Sequence, residues 1–142
     1  WAAATTENVG TGTTETWEMY NFTADAHPIH IHLVQFLVVE RQLLAVDEEG
    51  ETIQPAVLCE DDEQEGCEDR GPAIRAPEVW ETGYKDTVIS YPGEVTRVKA
   101  EYPLAGLFVW HCLFVEHAVN EMMRPFRFGP EQPGQPGSLL TP

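Results

Sequence analysis

The chain alternates between apolar and polar residues over several short stretches, and this two-residue period is typical of half-buried β-strands. The clearest example is residues 13–22, where Trp17 and Met19 alternate with polar neighbours. β-Branched and aromatic residues dominate residues 29–40, which predicts one long strand or two strands joined by a bulge. Further strands are predicted over residues 86–90, 95–101, 106–112 and 123–128. The pattern therefore predicts an all-β sandwich of about six or seven strands.

Other stretches interrupt the strand pattern. Residues 1–12 show no period and are predicted to be irregular. Residues 47–84 form a long acidic connection with room for one short helix or turn. Residues 91–94 carry proline second and glycine third, as in a type II turn, and residues 114–121 can form one or two helical turns. The Pro/Gly-rich residues 130–142 are predicted to be a mobile tail beyond a single domain of residues 1–129.

The chain is strongly acidic: its 142 residues include 24 acids and 8 bases, for a formal charge of −16. Nucleic acids and anionic membranes require a basic face, so this charge argues against both partners. The longest apolar runs, such as residues 104–110, are far shorter than the ~20 residues of a membrane-spanning helix. No basic start precedes an apolar core, so we expect no signal peptide in this sequence. A mature secreted chain would have the same appearance.

The three cysteines divide into a pair and a single residue. Cys59 and Cys67 flank a short, very acidic segment, where a disulfide is expected because exposed free thiols are reactive. The alternative is two unpaired surface thiols. A disulfide would imply an oxidising compartment. Cys112 lies in an apolar stretch, which fits a metal ligand, although a small buried hydrophobic residue would show the same pattern.

Cys112 begins a run of soft metal-binding side chains, with His117 five positions later and Met122 five positions beyond that. Thiolate, imidazole and thioether together favour copper over hard cations, and two histidines, one cysteine and a weak axial methionine form the electron-transfer copper site. The run lacks a second histidine. The remaining histidines of the chain are His27, His30, His32 and His111.

Strand geometry separates these histidines into two groups. His30 and His32 are two residues apart on a predicted strand, so they share a face, whereas the adjacent His111 and Cys112 face opposite sides. Two metal centres linked by the peptide between His111 and Cys112 are therefore predicted: His27, Cys112, His117 and Met122 in the first, and His30, His32 and His111 in the second. Taken singly, each of these residues would more often be a packed core residue. Their concentration in two short segments favours metal binding.

Two segments resemble a known family. Residues 27–32, His-Pro-Ile-His-Ile-His, and the run from His111 to Met122 resemble the copper motifs in the last cupredoxin domain of multicopper oxidases, of the bacterial laccase and bilirubin-oxidase-like branch. The resemblance implies a cupredoxin-like Greek-key β-sandwich that lacks its first strands. It also implies three classes of copper ligand: His27, Cys112, His117 and Met122 for type 1 copper, His30 for type 2 copper, and His32 and His111 for type 3 copper.

The family supplies an expected activity. Its type 1 copper takes single electrons from phenols, aromatic amines, bilirubin-like pigments or low-valent metal ions, and its trinuclear copper cluster uses them to reduce dioxygen to water. The resemblance implies that Cys112 and His111 carry electrons between these centres. It further implies a secreted or periplasmic enzyme with a small reducing substrate, and one able to form homo-oligomers.

Two departures from the family pattern shape this interpretation. Leu113 occupies the position of the second histidine in the family's His-Cys-His motif, and leucine cannot bind copper. The family's cluster also lies between its first and last domains, and this sequence lacks the histidines of the first domain. We therefore expect the C-terminal part of a laccase-like oxidase, working with N-terminal cupredoxin domains of the same enzyme or another subunit. The alternative is a non-enzymatic electron-transfer or copper-binding cupredoxin that has lost its oxygen-reducing cluster.

Overall fold

The computed structural model describes residues 4–130, which form two β-sheets and one short α-helix. In chain order the strands are β1 (Asn8–Val9), β2 (Thr14–Asn21), β3 (His27–Ile31), β4 (Phe36–Leu43), β5 (Ile74–Arg75), β6 (Thr87–Ser90), β7 (Glu94–Glu101), β8 (Gly106–Cys112) and β9 (Met123–Phe128). Helix α1 spans Val115–Asn120, and a short 3-10 helix spans Val79–Glu81. The predicted all-β class is confirmed. Most of the predicted tail, residues 131–142, lies outside the described residues.

The two sheets pair strands that are distant in sequence. The first sheet has the order β1-β9-β8-β3-β6, and the second has the order β2-β7-β4-β5. All these pairings are antiparallel except that of β1 with β9, which is parallel. The chain therefore crosses repeatedly between the sheets. Within residues 4–130, no helix has the length and apolar character needed to cross a membrane.

The structure corrects two expectations about strands. The prediction of one strand over residues 29–40, or of two strands joined by a bulge, is wrong, because β3 ends at Ile31, β4 begins at Phe36, and the two lie in different sheets. Between them Leu33 has a φ of 75°, a left-handed conformation that non-glycine residues seldom adopt. A bulge does occur, but inside β4, between Val38 and Glu40. The irregular segment expected over residues 1–12 also contains β1.

The core fixes which residues of β3 face inward. Along this strand His27, Ile29 and Ile31 are buried, whereas the two residues between them are half-buried. The inward face packs in a cluster of apolar side chains from both sheets, which includes Phe36 and Phe126. Burial of such side chains is worth about 1.5–3 kcal/mol each. Core packing therefore determines which side chains of β3 face inward, whether or not a metal is bound.

The long connection between β4 and β6 is attached to the sandwich by a small second core. The expected disulfide between Cys59 and Cys67 is confirmed, and both residues are fully buried. They pack in a cluster with Leu43, Ala45 and Ala73. The acidic segment is thus a closed loop whose base is part of the folded domain.

A buried arginine joins the two sheets. Arg41 of β4 is fully buried and donates two hydrogen bonds to the Glu81 carboxylate, at 2.6 and 2.5 Å. It donates a third to the carbonyl oxygen of Ile89 on β6, at 2.9 Å. Because β6 pairs with β3, this network supports the strand that carries His27 and His30.

Candidate metal centres

The structure brings the predicted ligands together in two groups. His27, Cys112 and His117 form one group, and His30, His32 and His111 form the other. Within each group, one ligand atom from every residue lies within 4.8 Å of the others. Below, these are called the cysteine set and the histidine set.

Pairing between β3 and β8 builds both sets from two neighbouring strands. Their antiparallel register places Ile29 opposite Cys112 and His30 opposite His111. Since side chains alternate across a strand, His111 and Cys112 project to opposite faces, as the sequence predicted. One peptide bond therefore separates the two sets.

The cysteine set has the dimensions of a metal site. The Nδ1 atoms of His27 and His117 are 3.1 Å apart, and the Cys112 sulfur is 3.8 Å from the first and 3.7 Å from the second. The centre of the circle through these three atoms lies about 2.1 Å from each, close to the ~2.0–2.3 Å bonds that nitrogen and sulfur form with zinc. One metal ion that forms bonds of this length fits between the three atoms. The soft donor set favours copper among such ions.

Two of the three residues in the cysteine set are buried. Cys112 is fully buried and His27 is only 4% exposed. Burial lowers the pKa of His27, and the proximity of His117 lowers it further. Both effects favour the neutral imidazole, which is the form that binds a metal.

The segment after Cys112 brings the backbone of Met122 back beside Cys112 and His117. Helix α1 carries His117, and the N–H of Met122 donates to the carbonyl oxygen of His117 at 2.7 Å. The N–H of Cys112 in turn donates to the carbonyl oxygen of Met122 at 3.0 Å. Met122 and His27 both line a cleft of about 540 Å³ between the sheets, together with Trp17.

The histidine set presents three ring nitrogens at the surface. The Nε2 atoms of His32 and His111 are 3.2 Å apart. In two of the three rings the other nitrogen is held by backbone: His30 Nδ1 donates to the Asp86 carbonyl oxygen at 2.6 Å, and His111 Nδ1 donates to that of Cys112 at 2.9 Å. Such bonds orient metal-binding histidines and leave Nε2 as the ligand atom. Burial, followed by the proximity of His30 and His111, lowers the pKa of His32.

Leu113 lies two residues after His111 and offers no ligand to the histidine set. Its backbone N–H donates to the Pro28 carbonyl oxygen at 2.8 Å, and its side chain is 48% exposed. An aliphatic side chain has no donor atom for a metal. The three imidazoles therefore provide one ligand each, and further ligands for a multinuclear cluster would have to come from outside residues 4–130.

One polar contact of the cysteine set was not predicted from the sequence. Thr23 Oγ1 lies 2.7 Å from Nε2 of His27, the ring nitrogen that faces away from Cys112. The available signal was an asparagine followed two residues later by threonine, just before the histidine, a pairing that often forms side-chain to backbone turns. Such a turn does not by itself indicate which side chain it supports.

Comparison with known proteins identifies the family. A family model described as multicopper oxidase matches residues 2–132. The chain is 39% identical over 129 residues to a laccase from Bacillus stratosphericus and 38% identical over 126 residues to a laccase from Bacillus subtilis strain 168. Each alignment covers 88% of this chain and 22% of the relative. The chain thus spans about a fifth of the length of these curated relatives.

Solved structures support the same architecture. The McoA multicopper oxidase of Aquifex aeolicus superposes with a TM-score of 0.62 at 25% identity, over 89% of this chain and 22% of that one. A multicopper oxidase from Campylobacter jejuni, described as a metallo-oxidase, has a TM-score of 0.64 at 21% identity, which supports the fold alone; it covers 89% of this chain and 21% of that one. These likenesses confirm the expected cupredoxin fold, and the laccase relatives do not favour the electron-carrier alternative. With its family match and its soft ligand set, the chain belongs to the multicopper oxidases, a family of oxidoreductases that use copper.

Proposed function

We propose that the chain forms the C-terminal copper domain of a laccase-like oxidase that oxidises a small reducing substrate and reduces dioxygen to water. The observation that carries this proposal is the arrangement of two ligand sets on either side of the peptide between His111 and Cys112. A simple electron carrier needs only the cysteine set. The additional histidine set is explained by a reaction that uses the electrons nearby.

In this proposal the cysteine set is the type 1 site. His27, Cys112 and His117 would hold the metal, and Met122 would be the weak axial ligand. Copper bound at the two sets would accept single electrons from the substrate and deliver them to dioxygen. The role of the protein is to keep water away from the Cys112 sulfur and to keep the His27 imidazole neutral, which the burial of Cys112 and His27 supports.

The histidine set would contribute to the oxygen-reducing cluster, with His30 as a type 2 ligand and His32 and His111 as type 3 ligands. The remaining ligands would come from cupredoxin domains elsewhere in the enzyme or in another subunit. Leu113 leaves one ligand position without a donor atom, so the cluster would bind copper less tightly at that position. The covalent path from the Cys112 sulfur to the His111 ring is nevertheless short, and the hydrogen bond from His111 to the Cys112 carbonyl oxygen holds that ring in place.

The surface beside His117 suits a small aromatic reductant. His117 is half-buried, and the ring of Phe114 stands edge-on to its imidazole at 5.3 Å. Exposed apolar side chains continue along α1, with Val115 74% and Val119 75% exposed. Such a surface favours phenols or aromatic amines over highly hydrated ions. The Cys59–Cys67 disulfide supports a secreted or periplasmic location for the enzyme.

Copper counting and oxygen uptake in the full protein test the proposal. We expect blue thiolate-to-copper absorption, several coppers per molecule and oxygen consumption with a phenol. Replacing Cys112 by serine is expected to remove both the absorption and the oxygen uptake. A Cys59→Ser/Cys67→Ser variant removes the other two cysteine sulfurs and should keep the absorption. Blue absorption without oxygen uptake would contradict the oxidase, and activity that survives Cys112→Ser would contradict the site.

A further inference from the structure

The two ring nitrogens of His27 have separate partners. Nδ1 faces the Cys112 sulfur at 3.8 Å and His117 at 3.1 Å, whereas Nε2 contacts Thr23 Oγ1 at 2.7 Å. A neutral imidazole carries its proton on only one of these nitrogens, and a metal can bind only the other. The partner of Nε2 therefore determines whether Nδ1 is available as a ligand.

The hydrogen bonds of Asn21 determine the direction of the Thr23 contact. Asn21 Nδ2 donates to the carbonyl oxygens of Asp25, at 2.8 Å, and Ser90, at 3.0 Å. Its Oδ1 is therefore the acceptor atom, and it receives the backbone N–H of Thr23 at 2.9 Å and the Thr23 hydroxyl at 2.8 Å. The hydroxyl also lies 3.2 Å from the carbonyl oxygen of Asp25, a more distant acceptor. Two oxygen atoms as close as Thr23 Oγ1 and Asn21 Oδ1, at 2.8 Å, need a proton between them, so the single hydroxyl proton of Thr23 is directed at Asn21.

With its proton used, Thr23 Oγ1 has only lone pairs to offer to the two nitrogen atoms near it. One neighbour is the backbone N–H of Asp25, at 3.3 Å. The other is His27 Nε2, which must then be the donor. The imidazole carries its proton on Nε2, and the Nδ1 lone pair points into the cysteine set.

This network is anchored rather than flexible. Asn21 is 4% exposed and ends β2, where it pairs with Glu94 of β7. Its bond to Ser90 reaches the partner strand of β3, directly opposite His27. Thr23 itself is exposed, so its hydroxyl is held by Asn21 rather than by packing. The threonine therefore connects the second sheet to a histidine of the first.

We propose that Thr23 is a positioning residue that fixes the Nε2-protonated form of His27 and aims its Nδ1 at the metal of the cysteine set. The inference rests on the proposed function in one respect, namely that His27 is a ligand. Partners of this kind typically change metal affinity by about 10- to 100-fold when they are removed. Thr23→Val keeps the β-branched shape and removes the hydroxyl, whereas Thr23→Ser keeps the hydroxyl.

The test is a copper titration of the full protein in competition with a chelator, followed by the blue absorption. We expect Thr23→Val to bind about 10- to 100-fold more weakly and to shift or broaden the absorption, and Thr23→Ser to restore both. Thr16→Val removes an exposed hydroxyl within β2 and serves as the matched control. Equal affinity and absorption in the wild type and Thr23→Val would overturn the inference, as would a loss in Thr23→Ser equal to that in Thr23→Val.

The outcomes separate this inference from the proposed function. If the wild-type protein itself lacks blue absorption, the type 1 assignment fails before Thr23 is considered. If Thr23→Val does not fold, long-range ¹H–¹⁵N correlation spectra of the copper-free wild-type protein report the tautomer of His27 directly. A proton on Nε2 supports the inference, and a proton on Nδ1 overturns it.

Discussion

Replacing Arg41 by methionine should strongly destabilise the domain, because it removes the positive charge of a buried ion pair and keeps a side chain of similar length. The variant loses two hydrogen bonds to Glu81 and one to the Ile89 carbonyl oxygen. Glu81 is 7% exposed, and its other hydrogen bond comes from the backbone N–H of Glu78. Its carboxylate would remain buried without a counter-charge.

The expected cost follows from that burial. Removing one partner of a buried pair costs about 3–5 kcal/mol, a large share of the ~5–15 kcal/mol by which domains are stable. For a domain of this size the melting temperature should fall by roughly 10–20 °C. Urea unfolding at neutral pH measures the change in free energy. Because Arg41 also bonds to β6, metal affinity of the cysteine set should fall along with stability.

Two further variants decide whether the cost comes from the uncompensated charge. Arg97 pairs with Glu18 and Glu40, whose side chains are 41% and 36% exposed, so Arg97→Met leaves no buried carboxylate behind and should cost about 1 kcal/mol. The double variant Arg41→Met/Glu81→Leu removes both charges and should recover much of the loss. A cost below about 1 kcal/mol for Arg41→Met, or a double variant as unstable as the sum of its single changes, would refute the reasoning.

Three other outcomes are expected. Leu113→His should increase the metal bound per chain by adding an imidazole beside His111, as elemental analysis would show; unchanged metal content would mean that another ligand is limiting. A Cys59→Ser/Cys67→Ser variant should lose about 2.5 kcal/mol in urea unfolding, since the disulfide closes a short loop, and an unaltered midpoint would contradict this. Burial tends to raise the pKa of Glu81, but its bonds to Arg41 outweigh this and lower it below 4.5. The corresponding stability is present above pH 4.5 and lost as the pH falls through the lowered pKa, so Glu81→Gln should flatten the acid limb of a stability–pH curve.

The local pattern of apolar and polar residues was sufficient to predict β2 and β8. The alternation around Trp17 and Met19 located β2, and the apolar run before Cys112 located β8. The break between β3 and β4 could not be found in this way, because no glycine or proline marks the turn at Leu33. The pairing of β1 with β9 was equally invisible, since a two-residue strand has no period and its partner is far along the chain.

The two ligand sets could be predicted from the sequence, because neighbouring side chains in a strand face opposite sides. This alternation placed His111 and Cys112 on opposite faces, and the structure agrees. Ligation by these residues stays a prediction. The contact of Thr23 with His27 was missed because it depends on how a turn folds back, which four residues of sequence do not specify.

The register between β3 and β8 limits which mutations the two metal sets can tolerate. Ile29 lies opposite Cys112 and His30 opposite His111, so both metal sets depend on one alignment of two strands. An insertion or deletion of a single residue would move every ligand of that strand to the wrong face and abolish both sets together. A point substitution removes one donor and spares the rest. Substitutions can therefore remove the ligands of this fold one at a time, whereas a change in the length of either strand would remove both sets together.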